Sequence, residues 1–340
     1  MMIGRNEMEN VLLEYVWLDG YDTPNLRSKI KVVDDWDEKY PEPPVWNFDG
    51  SSTRQAEGSN SECLLFPVRT YAWSRNHYLV LCEVMNSDGT PHTTNTRAVL
   101  KSLATKFDNA QFWWGFEQEY FITQDHRPLG FPTGGYPGPQ GLYYCGVGGN
   151  QVKARTFVES HLVTCLNMKI CLTGINAEVA VGQWEFQCFA KDTLKACDDL
   201  WISRYVLYRR SEDWGYDIDL APKLIPGDWN GSGCHCNFST EQMRTVGGKE
   251  RFEMLFASMA ERHFTHIAGY GENNHERLTG EHETQHIKKF SWGVADRGAS
   301  IRVPNDTEKN GWLGYVEDRR PASNCDPYVV TKLIVEAYDF

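Results

Sequence analysis

The chain has 340 residues, 41% of them hydrophobic, which is enough for two domains or one large one with a sizeable core. Its 34 basic residues stand against 46 acidic ones, a net charge of −12, and no Lys/Arg run or basic stripe occurs, which argues against a nucleic-acid partner. The polar start of the chain lacks the apolar stretch of a secretory signal, and the longest apolar run, near Tyr78 and Cys82, is too short to cross a bilayer; a cytoplasmic protein without a membrane partner is expected. Ten scattered cysteines with no CxxC pair, mostly in apolar runs, read as reduced, buried thiols.

In chain order, residues 12–18 predict a strand ended by Asp19-Gly20, and residues 46–49 and 78–84 predict two more. Residues 50–60 between them form a polar loop too rich in turn formers to be packed core. The turn-rich stretch 86–95 marks a domain boundary, giving a small β-rich domain over 11–95 and a larger one over 96–340. Helices are predicted over 96–107, 152–168, 195–211 and 249–266. The second has Phe157, His161, Val163 and Leu166 at its less polar positions. A strand over 112–123 precedes a Gly/Pro-rich loop over 127–149, and the last strands fall within 299–303 and 314–317. Strands are not regularly interleaved with crossover helices, so the fold class is α+β.

Five stretches set charge among aromatic residues and glycines: Gly115-Phe-Glu-Gln-Glu-Tyr120, Asn176-Ala-Glu-Val179 with Trp184-Glu-Phe186, Trp229-Asn-Gly-Ser-Gly-Cys-His235, Arg297-Gly-Ala-Ser-Ile-Arg302 and Glu317-Asp-Arg-Arg320. Charge in strand-like runs is costly unless paired or bound to metal. Glu117 and Glu119, two apart, leave the same strand face and repel unless a cation sits between them. Glu178 and Glu185, separated by Gly182, fall on two segments. His235 lies between Cys234 and Cys236, but strand alternation turns both cysteines away from it and puts Asn237 and Ser239 on its face. Glu317 and Arg319 share a face as well, while Arg320 is placed to pair with Asp318. Carboxylates with a histidine suit hard divalent cations, and arginines suit phosphate or carboxylate ligands. The set therefore describes an enzyme site where metal ions and arginines hold a nucleotide polyphosphate.

His282-Glu-Thr-Gln-His286 matches the HExxH pattern of zinc proteases, which needs both histidines on one helix face. Thr279-Gly280 before it, Lys288 and Lys289 after it and the missing apolar stripe argue against such a helix.

These stretches, together with Asn47-Phe-Asp-Gly-Ser-Ser-Thr53, Pro137-Gly-Pro-Gln-Gly141, Tyr143-Tyr-Cys-Gly-Val-Gly148 and Arg277-Leu-Thr-Gly280, closely resemble glutamine synthetases of type II, the eukaryotic-type branch, and in pattern its bacterial members most. The likeness spans nearly the whole chain. It implies an N-terminal β-grasp domain followed by a larger antiparallel-sheet catalytic domain with flanking helices. It implies two or three Mg²⁺ or Mn²⁺ ions per site, one held by Glu119, Glu178 and Glu185 and another by Glu117, His235 and Glu317. ATP, L-glutamate and ammonium are the implied substrates. By the same likeness, Trp113, Asn237, Ser239, Arg297 and Arg302 bind ATP, and Ser52, Tyr144, Asn230, Gly231, Arg277 and Arg319 bind the other substrates. Asp49, Glu283 and Arg297 would be catalytic, with Asp49 reaching a neighbour's site in a ring homo-oligomer of ten subunits. A γ-glutamyl ligase of another amine and a non-catalytic structural homologue are the alternative readings.

Overall fold

Apolar side chains fall at every second position from Val11 to Trp17, the period of a strand with one face on a core. In the computed structural model, which describes residues 10–34, 36 and 42–338, this stretch is strand β1 (Asn10–Leu18). The chain forms two compact units: residues 1–98 with 167–169, and residues 99–166 with 170–340.

The first unit is one mixed sheet of β1, β2 (Leu26–Asp34), β3 (Trp46–Asp49), β4 (Glu62–Ser74) and β5 (His77–Met85), in the order β2-β1-β5-β4-β3. β1 and β5 run parallel and the other pairs antiparallel. Its core takes Leu13, Tyr15 and Trp17 from β1, Cys63 and Leu65 from β4, and Val80 and Val84 from β5. The Trp17 and Phe48 rings lie 4.9 Å apart. β2 and β4 were not anticipated. β2 is an edge strand whose Lys29 and Lys31 interrupt the apolar pattern, a common way to protect an edge. The polar loop is packed more than its composition suggests: Gly50 to Thr53 form a 3₁₀ turn, and Thr53 and Gln55 are buried. Gln55 supplies what such a loop lacks, donating to the Leu18 carbonyl at 3.1 Å.

The second unit carries α1 (Thr96–Lys106), then the long central strand β6 (Trp113–Gln124) with the short β7 (Arg127–Pro128). α2 (Arg155–Asn167), β8 (Leu172–Ala177), β9 (Gln183–Ala190) and α3 (Thr193–Glu212) follow. Then come β10 (Asp217–Asp219), β11 (Cys234–Ser239), α4 (Glu241–Thr245), α5 (Lys249–Glu261) and α6 (His263–Gly269). The chain closes with β12 (Trp292–Val294), β13 (Ile301–Val303), α7 (Asn305–Lys309), β14 (Val316–Asp318) and α8 (Pro327–Ala337). The sheet runs β12-β13-β14-β11-β6-β9-β8, with β7 and β10 also pairing β6, and is antiparallel except for β12 with β13. The α+β class with antiparallel-dominated sheets and flanking helices therefore holds.

Two helical expectations change. The segment 249–266 is two helices broken at Arg262, whose φ of −91° and ψ of 7° leave the helical basin. The break re-aims α6 so that His263 and His266 both meet Arg320, at 3.3 and 3.0 Å. In α2 the buried positions are Phe157, Val158, His161 and Cys165, whereas Val163 and Leu166 face solvent. All ten cysteines are free thiols; eight are buried, but Cys145 and Cys171 are exposed. No helix among the described residues is long and apolar enough to cross a membrane.

Strand alternation gives the large sheet two unlike faces. One carries Trp114, Phe116 and Tyr120 of β6 with Trp184 and Phe186 of β9, all buried, and α3 packs against both strands. Each such side chain contributes about 1.5–3 kcal/mol. Arg204 of α3 enters this layer almost wholly buried, donating to Gln118 Oε1 at 2.7 Å and to the Cys325 and Ser323 carbonyls at 2.8 and 3.1 Å. Beside it Asp318 pairs with Arg320 at 2.7 Å and accepts from the Tyr270 hydroxyl at 2.8 Å.

Replacing Arg204 with Ala strands the Gln118 amide oxygen and the Cys325 carbonyl in a dry layer, so it should cost on the order of 3 kcal/mol. Urea denaturation at fixed protein concentration measures it; a midpoint within error of the parent would show that the guanidinium is not holding the layer.

Candidate active site

The other face of the same sheet gathers the charged residues. β6 places Glu117 opposite His235 of β11 and Glu119 opposite Glu185 of β9. β11 then sets Asn237 opposite Glu317 of β14, which faces Arg302 of β13. Glu178 comes from the turn between β8 and β9, its carboxylate held by the Asn176 amide at 2.8 Å. Cys234 and Cys236 point to the opposite, apolar face, as alternation requires.

The result is two adjoining triads. Donor atoms of Glu117, His235 and Glu317 lie within 4.8 Å of one another, and so do those of Glu119, Glu178 and Glu185. Both line a cavity of about 490 Å³, whose wall also includes Asn230, Gly231 and Arg277. Arg297, Arg302, Arg319, Glu283 and Tyr144 complete the part anticipated from sequence. A second cavity of about 360 Å³ touches the first through Glu117 and Gln187, and is lined by Trp113, Asn237 and Ser239. Asp49 and Ser52 belong to the first unit, at the end of β3, where Ser51 and Ser52 donate to the Asp49 carboxylate at 2.6 and 3.0 Å and hold it below the usual carboxylate range.

Electrostatics distinguishes the two triads. In Glu119–Glu178–Glu185 burial first, and neighbouring carboxylates second, raise the carboxyls to about 7, 8 and 9 respectively. These groups hold protons that a cation would replace, and their oxygens form a hard donor set, so they fit a divalent ion. In the other triad burial and Arg319 hold His235 well below its ordinary value, which keeps the imidazole neutral, the form that ligates metal. Arg277 donates to His235 Nε2 at 3.1 Å, and His235 Nδ1 lies 3.3 Å from both Glu117 and Glu317. Glu317 is held by Arg319 at 2.6 Å and Arg302 at 2.8 Å. Gly233 makes room for this arrangement, since a Cβ there would press on the Arg277 guanidinium and His235.

Several lining residues escaped sequence reasoning. Arg244 lies 4.0 Å over the Trp113 ring and donates to the Ser239 carbonyl and hydroxyl at 2.9 Å. Tyr315 lines the same cavity. Nothing local in the sequence marks either; both arrive through tertiary packing. Gln187 donates to Asn176 and to Glu185. The HExxH stretch forms a turn with His282 and Glu283 at φ of 52° and 60°, so no helix carries its histidines together, and both residues line the first cavity.

Two hard-donor triads beside four arginines suit an enzyme that handles multiply charged anions with metal assistance. Residues 93–338 match the family described as glutamine synthetase, catalytic domain. A glutamine synthetase of Bradyrhizobium diazoefficiens is 54% identical over 339 residues, covering 97% of this chain and 96% of that one. A cytosolic glutamine synthetase isozyme of Daucus carota is 47% identical, covering 96% of this chain and 94% of that one, and a glutamine synthetase of Schizosaccharomyces pombe is 48% identical, covering 96% and 91%. The fold also resembles a Plasmodium falciparum glutamine synthetase, with a TM-score of 0.78 at 15% identity, over 96% of this chain and 71% of that one. The chain belongs to the glutamine synthetase family, and it is therefore an enzyme of the ligase class.

Proton release tests the carboxylate triad. Below their raised values these groups are protonated, so a cation must displace protons and its affinity should rise with pH through about 7 to 9. By the same linkage the metal-free protein, whose carboxyls bind more protons folded than unfolded, should lose stability as pH rises above 4.5 through that window. Titrating Mg²⁺ calorimetrically in two buffers of different ionisation enthalpy reads the protons released; identical heats in both would remove the triad from the binding site.

Proposed function

We propose that this protein condenses L-glutamate with ammonium, driven by ATP, through a γ-glutamyl phosphate intermediate. The observation that carries the reading is the pair of donor triads and arginines in one cavity, opening into a second where Trp113 and Arg244 stack. Glu119, Glu178 and Glu185 would hold one Mg²⁺ or Mn²⁺ ion, and Glu117, His235 and Glu317 another, with two or three ions per site by the pattern of the family. When bound there, such ions would neutralise polyphosphate charge and polarise its oxygens. The second cavity takes the nucleoside, its planar base suiting the indole and guanidinium faces.

The protein's own groups do the positioning. Arg277, with Asn230 and Gly231, receives the glutamate carboxylate. Its γ-carboxylate oxygen attacks the γ-phosphorus, the bond to the β,γ-bridging oxygen breaks, and ADP leaves. Arg297, Arg302 and Arg319 offset the negative charge that shifts during this transfer. Ammonia then attacks the γ-carbon, and the C–O bond breaks to release phosphate. Asp49, kept ionised by its serines, attracts ammonium and takes a proton, with Ser52 and Tyr144 near the incoming nitrogen. In this reading Asp49 comes from a neighbouring subunit of a ring homo-oligomer, ten subunits by the pattern of the family.

A coupled assay of glutamine formation from ATP, glutamate, ammonium and Mg²⁺ tests the activity directly. Glu185→Ala should lower turnover by about a hundredfold or more, because it removes a donor where phosphate charge is neutralised. Co-expressed with Asp49→Ala subunits it should regain part of that loss, since mixed rings contain some intact sites. No recovery in verified mixed oligomers would place Asp49 and Glu185 in the same subunit's site.

Glu283 separates the two half-reactions. Its carboxylate stands 4.0 Å from Arg297 at the cavity wall, and its backbone carbonyl accepts from Arg319 at 3.3 Å. As a flap residue it shields the acyl phosphate from water. Glu283→Ala should preserve ATP cleavage while raising the ratio of phosphate to glutamine. An unchanged ratio, measured in one reaction with and without ammonium, would take that guarding role from Glu283.

A further inference from the structure

Gln140 lies in the irregular Gly/Pro-rich segment and has no role in the chemistry above. Its amide nevertheless joins two other loops of the site. The Oε1 atom accepts from the Asn230 backbone N–H at 2.8 Å, and Nε2 donates to Asn230 Oδ1 at 2.8 Å and to His282 Nδ1 at 3.4 Å. Its own segment is tied down next door, where Gly141 N–H donates to the Val179 carbonyl at 2.9 Å, one residue from Glu178. One primary amide thus joins the Asn230 loop to the His282–Glu283 turn, from a segment tied down beside Glu178.

That turn is held at its tip by Arg319, which donates to the Glu283 carbonyl at 3.3 Å, and by Arg297, 4.0 Å from the Glu283 carboxylate. Its base is anchored by Thr284, whose hydroxyl donates to the Glu281 and Arg277 carbonyls at 2.8 and 3.3 Å. His282 and Glu283 are consecutive non-glycine residues at positive φ, which costs on the order of 1 kcal/mol or more apiece and persists only where surrounding contacts impose it. For His282 the contacts are Gln140 on one side and Asp228 on the other, 3.2 Å from Nε2. Donation by Gln140 to Nδ1 makes that nitrogen the acceptor, so the ring proton sits on Nε2 and points to Asp228. The imidazole is thus held from both sides, next to the residue that carries the Glu283 carboxylate.

We propose that Gln140 is a positioning residue that couples the Asn230 substrate loop to the Glu283 flap through His282. The inference rests on the glutamine-forming reading and on the guarding role of Glu283. When the Asn230 loop is ordered by glutamate, its two hydrogen bonds orient the Gln140 amide, and the same amide fixes His282 with Glu283 facing the cavity. Without the amide, His282 and Glu283 relax out of their left-handed conformation. Water then reaches γ-glutamyl phosphate, adds to the γ-carbon and expels phosphate, returning glutamate.

The test measures phosphate and glutamine together in the parent, Gln140→Ala, His282→Ala, the double variant, His282→Asn and Glu283→Ala, each checked for assembly and thermal midpoint. Gln140→Ala and His282→Ala should each raise the phosphate-to-glutamine ratio about three- to tenfold, the scale of one lost hydrogen bond. The double variant should raise it no further than either single one, because both act through one contact. His282→Asn, which keeps an acceptor oxygen near the Nδ1 position, should restore the parent ratio. Only Gln140→Ala should also raise the KM for glutamate, since it alone loosens Asn230. A purely structural role for Gln140 would lower the thermal midpoint and kcat without moving the ratio. A ratio unmoved in Gln140→Ala but raised in Glu283→Ala overturns the coupling alone, as do additive effects in the double variant. A ratio unmoved in Glu283→Ala overturns the guarding role and the coupling together, and a parent that makes no glutamine overturns the underlying reading.

Discussion

Five glutamates crowd one face of the large sheet, and mutual repulsion among them is the constraint to which the rest of the molecule answers. Two unit charges about 4 Å apart repel by roughly 4 kcal/mol even in a moderately polarisable protein environment. Such a face stays folded only if protons, cations or arginines balance it. The structure uses each: raised carboxyls in Glu119–Glu178–Glu185, donor geometry fit for a cation, and Arg302 and Arg319 on Glu317. A site built this way is charged for its substrates before they arrive.

Holding like charges together also requires strands that do not yield, and the underside of the sheet supplies that stiffness. The Glu317-Asp-Arg-Arg320 run shows how. Alternation sends Glu317 and Arg319 to the site face, where they pair at 2.6 Å, and Asp318 and Arg320 to the dry face, where they pair at 2.7 Å. The lower pair is locked by Tyr270 and by His266, whose ring burial keeps neutral. One β-strand end thus carries two interleaved ion pairs, one serving chemistry and the other fixing the backbone from which the first projects. Arg204 does the same for β6, tying Gln118 between Glu117 and Glu119 to the carbonyls of Ser323 and Cys325.

Much of this was legible because periodicity and charge coincide. β1 and β6 show their alternation openly, and alternation alone puts the odd positions Glu117, Glu119, His235 and Asn237 on shared faces. Where a segment's pattern depends on a partner, legibility failed. β2 is strand only because β1 offers a full register of partners, and its lysines hide the period. The break at Arg262 follows from where His263 and His266 must reach. Burial in α2 falls on Phe157, Val158, His161 and Cys165 rather than on Val163 and Leu166, since hydrophobicity names candidates for a core but not the side on which the core lies.

The sequence by itself determined the family, the class of fold and the identity of the charged residues, because those are carried by residue type, spacing and alternation along single strands. Tertiary structure alone decided which charges become neighbours. The triads assemble residues from distant strands, Arg244 reaches Trp113 through packing, and Gln140 joins Asn230 to His282 across 90 and 142 positions of chain. The physical reason is that hydrogen bonds and ion pairs act over a few ångströms in space, and only the folded sheet with its loops brings such separations down to that range.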